Sequence, residues 1–237
     1  MPTINLLFKD HYPINDNIHI MIPTVDEVLE NEDSYYGQVS LLTAMPIDMM
    51  LELDDIGIDY TTINDYDLFL LMFNQLRSDD TSLIFGDLDL SKFEFAENKE
   101  NGRIVLYDSE NDIVIDRGIQ GQIAATLRKI HHLEKNRRKP ANEEAKKYML
   151  ERARAKRKRK RPKTDFSQLE SLIIAMVNTE QFKYGFEDVK NLTIYQFNES
   201  VRQIIHKVDY EHRMHGIYSG TIDPKNLNKK ELNWLTH

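Results

Sequence analysis

The sequence predicts an α+β protein that is mainly helical, with a small antiparallel three-stranded meander, a basic helical linker and a C-terminal helical part. Three observations carry this. Apolar residues recur at helical spacing on both sides of a central stretch where they instead alternate, as in Phe93/Phe95, Ile104/Leu106 and Ile113/Ile115. Threonine and a glutamate or glutamine three residues later, Thr24/Glu27 and Thr193/Gln196, mark two helix starts as capping boxes. Charge is segregated: residues 1–127 carry a net −19, residues 128–163 a net +13 and residues 164–237 a net −2, within an overall −8.

In order along the chain, Asn17–Ile22 is expected as a short strand that stops at Pro23, which cannot extend a ladder. Thr24 then caps a first helix, and another runs through Tyr35–Thr43. Pro46 suits a first helical turn and opens Ile47–Ile56, which Gly57 closes as a C′ residue with Ile58 just beyond. Asn64 and Asp65 cap a helix whose Leu68–Phe73 segment is apolar on every side, the pattern of a central helix covered by its neighbours. The meander follows, with turns at Asn98–Gly102 and Asp108–Asn111. Ile119, Ile123, Leu127, Ile130 and Leu133 return to helical spacing and complete an acidic α+β body over residues 1–133.

Residues 134–163 form the basic linker, the main part of a cationic run from Arg128 to Lys163. Its middle has an Asn142 cap and good helix formers, and a Glu143–Lys147 pair would add about 0.3 kcal/mol. Beyond Ala155 the repeated Lys-Arg is expected to fray through self-repulsion. In the C-terminal helical region, 164–237, Asp165 and Gln168 are expected to cap a helix bearing Phe166, Leu169, Leu172, Ile173, Met176 and Val177. The helix after Thr193 presents Ile194, Phe197, Val201, Ile204, Ile205 and Val208 and is expected to end at Gly216, with one more short helical signal at Lys229–Leu235.

The chemistry-bearing patterns are sparse. No cysteine is present, which excludes a disulfide framework, thiolate zinc sites and cysteine nucleophiles. His212 and His215, with Asp209 and Glu211 nearby, lack a third ligand at helical spacing, and His131 and His132 diverge around a helix. Neither Asp54/Asp55/Asp59 nor Asp108/Glu110/Asp112 fits a calcium loop, and no phosphate-binding glycine loop or nucleophile elbow occurs. The chain is therefore expected not to be an enzyme and to hold no metal or cofactor. The first fifteen residues interrupt any signal-peptide core with acid, histidine and proline, and no apolar run approaches a membrane span.

The basic segment is the strongest functional signal. Arg152, Arg154, Lys156, Arg157, Lys158, Arg159, Lys160 and Arg161 are candidate contacts for nucleic-acid phosphates or for an acidic protein partner. With Tyr148 as the one aromatic in the run, nucleic-acid contacts would be sequence-blind and salt-sensitive. The competing reading makes it a solvated linker, or an arm docked on the chain's own acidic body.

A further set of stretches follows in order along the chain: Ile22–Leu29, Tyr35-Tyr36, Thr43–Met50, Asp55–Asp59, Asp65–Phe69, Phe85–Phe93, Ile194–Asn198, Gly216–Asp223 and Asn233-Trp234. This order resembles small proteins from the tail regions of phages and prophages of low-GC Gram-positive bacteria, and within them the tail assembly chaperones. The resemblance implies a non-catalytic protein of the bacterial host cytoplasm that accompanies a tape-measure or other tail protein. It supplies no catalytic residue. The long basic insert exceeds what a plain chaperone needs.

Overall fold

The computed structural model describes residues 5–99, 102–159, 167–223, 225, 227, 228 and 232–235. Of the described residues 54% are helical, and two small antiparallel sheets accompany them, hence α+β and mainly helical as the sequence predicts. A two-stranded ribbon, β1 (His11–Pro13) and β2 (His19–Met21), precedes α1 (Val25–Glu30), α2 (Glu32–Thr43), α3 (Met50–Asp55), α4 (Asp65–Ser78) and the short α5 (Ser82–Phe85). The meander β3 (Glu94–Glu97), β4 (Ile104–Asp108) and β5 (Ile113–Ile115) leads into α6 (Arg117–His131). Then come α7 (Glu143–Arg159), α8 (Gln168–Val177), the short α9 (Phe186–Val189) and the 25-residue α10 (Ile194–Tyr218).

Local chemistry sets most boundaries. Thr24 accepts from the Glu27 amide while the Glu27 carboxylate accepts from the Thr24 amide at 2.7 Å, and Thr193 and Gln196 form the same reciprocal pair. Asn64 accepts from the Tyr66 and Asp67 amides at the start of α4. Gly57, at φ +76°, ends α3: its amide reaches Asp54 and that of Ile58 reaches Leu53, satisfying two otherwise orphaned carbonyls. In the meander, Phe95 pairs with Leu106 and Leu106 with Ile115, so one face of the sheet turns toward the core.

Several expectations need correction. The strand predicted over Asn17–Ile22 contracts to β2, and its partner β1 has only three residues and a proline, too little for any periodic signal. Pro46–Met49 form a turn, so α3 starts at Met50 rather than Ile47. Helix α4 is not covered all round: Leu68, Phe69 and Phe73 are buried, but Leu71 is 50% exposed. Ser167, not Gln168, caps α8 by accepting from the Glu170 amide; Asp165 and Phe166 lie outside the described residues. Gly216 does not end α10. Gly220, at φ +73°, does, while Gly216 gives room to Ile222, whose Cδ1 would stand 2.6 Å from an added Cβ. Of the expected Lys229–Leu235 helix, residues 229–231 lie outside the described set.

The main core draws on both halves of the chain. Leu6, Ile18, Ile20, Tyr35, Phe73, Phe93, Leu106 and Leu127 share it with Leu169, Ile173, Met176, Phe182, Ile194 and Phe197. Main-chain bonds reinforce the junction: the Val25 amide donates to Leu192 and the Ile194 amide to Pro23. A second, methionine-rich cluster lies to one side, built from Ala44, Ile47, Leu51, Leu53, Tyr60 and Leu68 with Met45, Met49, Met50 and Met72 around it. Leu150 of α7 belongs to this second core, which is what places the basic helix.

Candidate functional site

Helix α7 forms where self-repulsion argues against it. Asn142 accepts from the Ala145 amide, Glu143 and Glu144 occupy the first turn, and Lys156–Arg159 occupy the last, so the charges run with the helix dipole. One face, read at three- and four-residue intervals, presents Lys146, Met149, Leu150, Ala153, Arg154 and Arg157. Leu150 is buried, and Met149 and Ala153 pack beside it on the second core. Burying a leucine contributes about 1.5–3 kcal/mol, so this apolar seat outweighs the half-exposed ion pairs that flank it.

Those ion pairs give the seat its direction. Lys146 pairs with Asp59 at 2.5 Å, Arg154 with Asp54 and with Asp55 at 3.3 Å, and Arg157 with Asp55 at 3.0 Å and Glu52 at 3.8 Å. The Lys146 ammonium and the Thr61 amide and hydroxyl hold the Asp59 carboxyl at a pKa of about 2. Arg157 and then Arg154 lower that of Asp55. The acidic cluster Asp54/Asp55/Asp59 is thus the dock of the chain's own basic helix. Glu143 pairs with Lys146 at 3.3 Å rather than with Lys147, because Lys146 is the residue turned toward the body. Nor does the helix stop at Ala155; it continues to Arg159, four residues past the expected fray point, with Arg157 tied down on the way.

The predicted contact residues therefore divide. Arg154 and Arg157 are taken by the body. Arg152 and Arg159 lie on the opposite face, exposed, and Lys156 and Lys158 are exposed on the two flanks; none of the four makes an ion pair with a described residue. Tyr148, 63% exposed, stands on that outer face too. Lys160 and Arg161 lie outside the described residues. Sequence reading missed the anchor residues Lys146, Met149, Leu150 and Ala153, although their spacing was visible; a run so rich in charge hid a narrow apolar stripe.

The strap between α6 and α7, residues 132–142, is fastened as well, together with the end of α6. The Arg128 guanidinium donates to the Thr43 carbonyl, Lys135 pairs with Asp65 at 2.8 Å, and Asn136 donates to Asp48 at 2.7 Å. The two tandem histidines lie at the end of α6. His131 is packed against Tyr35 and Tyr36 and bonds to the Tyr35 hydroxyl at 3.0 Å, and burial pushes its pKa down to about 4. His132 takes φ +52° as the helix C-cap, 3.7 Å from Glu199. Among the described residues no group of three histidine, aspartate or glutamate side chains is arranged to hold a metal, His212 and His215 included. Asp108 accepts from the Glu110 and Asn111 amides, as a hairpin-turn aspartate does. No described helix is long and apolar enough to cross a membrane.

Apolar exposure concentrates elsewhere. Among the described residues, nine of the seventeen exposed large apolar side chains fall in residues 157–237, among them Ile174 at 48%, Phe186 at 55%, Ile205 at 56% and Tyr218 at 81%. Residues 157–237 match the family model described as the YomV second domain. YomV is a protein of Bacillus phages and prophages, and this third of the chain is similar to its second domain. The match begins at Arg157, within α7, and takes in α8, α9 and α10. Neither the curated proteins nor the solved structures gave a match.

Proposed function

We propose that this protein is a non-catalytic accessory of phage assembly, acting as a chaperone for a tail protein that it grips through its C-terminal helices. The observation that carries the reading is the coincidence of exposed apolar side chains with the segment that matches the YomV second domain: Ile174, Tyr184, Phe186, Ile205 and Tyr218 stand in solvent there. Exposed apolar side chains that fall together in one segment supply what an interaction site needs, and a long helical partner such as a tape-measure protein offers an apolar stripe to match them. Co-expression with each tail protein of the same phage tests this. A stable complex is expected with one of them, and failure to co-purify with any removes the reading.

A second reading rests on the outer face of α7, where Arg152 and Arg159 align with Tyr148 and Lys156 flanks them, all without ion pairs to described residues. Such a stripe fits backbone phosphates of nucleic acid, gripped by counterion release. Replacing the three cations by alanine is then expected to abolish salt-sensitive binding of DNA or RNA. Unchanged binding would dismiss it.

A further inference from the structure

Between the fastened strap and the body lies a cleft of about 580 Å³, within the range of small-molecule sites. Its apolar side is made by Met45, Pro46, Ile47 and Ile63. Its polar side is cationic: Arg117 at the start of α6, then Arg137, Arg138 and Lys139 from the strap, none in an ion pair with a described residue. The two carboxylates of the lining are already engaged, Asp65 by Lys135 and Glu143 by Lys146. The net unmatched charge facing the cleft is therefore positive.

Tyr60 forms part of the wall. It is 4% exposed, and its hydroxyl has no hydrogen-bond partner among the described residues. Burial raises the pKa of this hydroxyl, which stays behind the cleft wall rather than open to it. A lining that joins apolar side chains to unpaired cations fits an amphipathic anion: a flat apolar group at one end, phosphate at the other.

We propose that this cleft binds a phosphorylated nucleoside, its base over Met45, Ile47 and Ile63 and its phosphates held by Arg137, Arg138 and Lys139. The ligand is either a free nucleotide or a nucleotide within a strand. Both sources share the same chemistry, and the site is independent of the outer face of α7.

The test is a fluorescence titration of the full chain with mant-labelled ATP, followed by competition with unlabelled ATP, an oligothymidylate and inorganic phosphate. Saturable binding is expected, and Arg137→Ala/Arg138→Ala/Lys139→Ala should weaken it about tenfold or more. Substituting Arg152, Lys156 and Arg159 should leave it intact. Stronger displacement by ATP assigns the site to free nucleotide; stronger displacement by oligothymidylate assigns it to a strand. The proposal is overturned by no saturable binding to the folded protein, by equal affinity in the strap variant, by loss in the α7 variant instead, or by equal displacement with inorganic phosphate.

Discussion

At the scale of single residues, His131 has the sharpest consequence. Its imidazole sits between Tyr35 and Tyr36 with His132 next in sequence, and burial lowers its pKa to about 4. The unfolded chain takes up this proton near pH 6.5, the folded one only near pH 4. Stability from the neutral ring is therefore complete above about pH 6.5 and is lost as pH falls toward 4, about 3 kcal/mol in all. Urea unfolding at pH 7 and pH 5 is expected to show this loss, with His131→Gln showing markedly less. An identical pH dependence in both would mean that another group governs it. The caps are the residues that sequence reveals best, since Thr24/Glu27 and Thr193/Gln196 each complete their chemistry within four residues. Gly216 and Gly220 show the opposite: which one ends α10 depends on where Ile222 packs, and that is a tertiary fact.

At the scale of elements, α7 decides the account of the basic segment. Its helical form was legible from Asn142 and the residues that follow. Its location was not, because the partners Asp59, Asp54 and Asp55 lie 87 to 102 residues away in sequence. The pairing of β1 with β2 escaped for a different reason: β1 is only three residues long. The magnitudes favour Leu150 over the flanking ion pairs as the chief hold on α7. Leu150→Asp is therefore expected to free α7 and open it to rapid tryptic cleavage, since an isolated 17-residue cationic helix is marginal in water. Arg154→Ala should accelerate cleavage far less, and 1 M salt alone should not release the helix. Equal sensitivity in the two variants would transfer the main role to the charges.

At the scale of the whole molecule, residues 1–127, of net −19, are covered in part by the chain's own cationic segment, and the segment that matches the YomV second domain holds nine of the seventeen exposed large apolar side chains among the described residues. The core joins α8–α10 to the N-terminal helices, so whatever the C-terminal helices grip is held by the whole fold and not by a loose appendage. The charge segregation was plain in the sequence; the exposed patch was not, because Ile174, Phe186 and Ile205 occupy positions whose spacing reads equally well as buried. The most direct measurement is co-purification with the tail proteins, comparing the native chain with Ile174→Glu/Phe186→Glu after circular dichroism confirms that both are folded. The account predicts that the native chain retains one tail protein at moderate salt and that the variant loses it. Retention by both, or by neither, would contradict the claim that this apolar face is the protein's working surface.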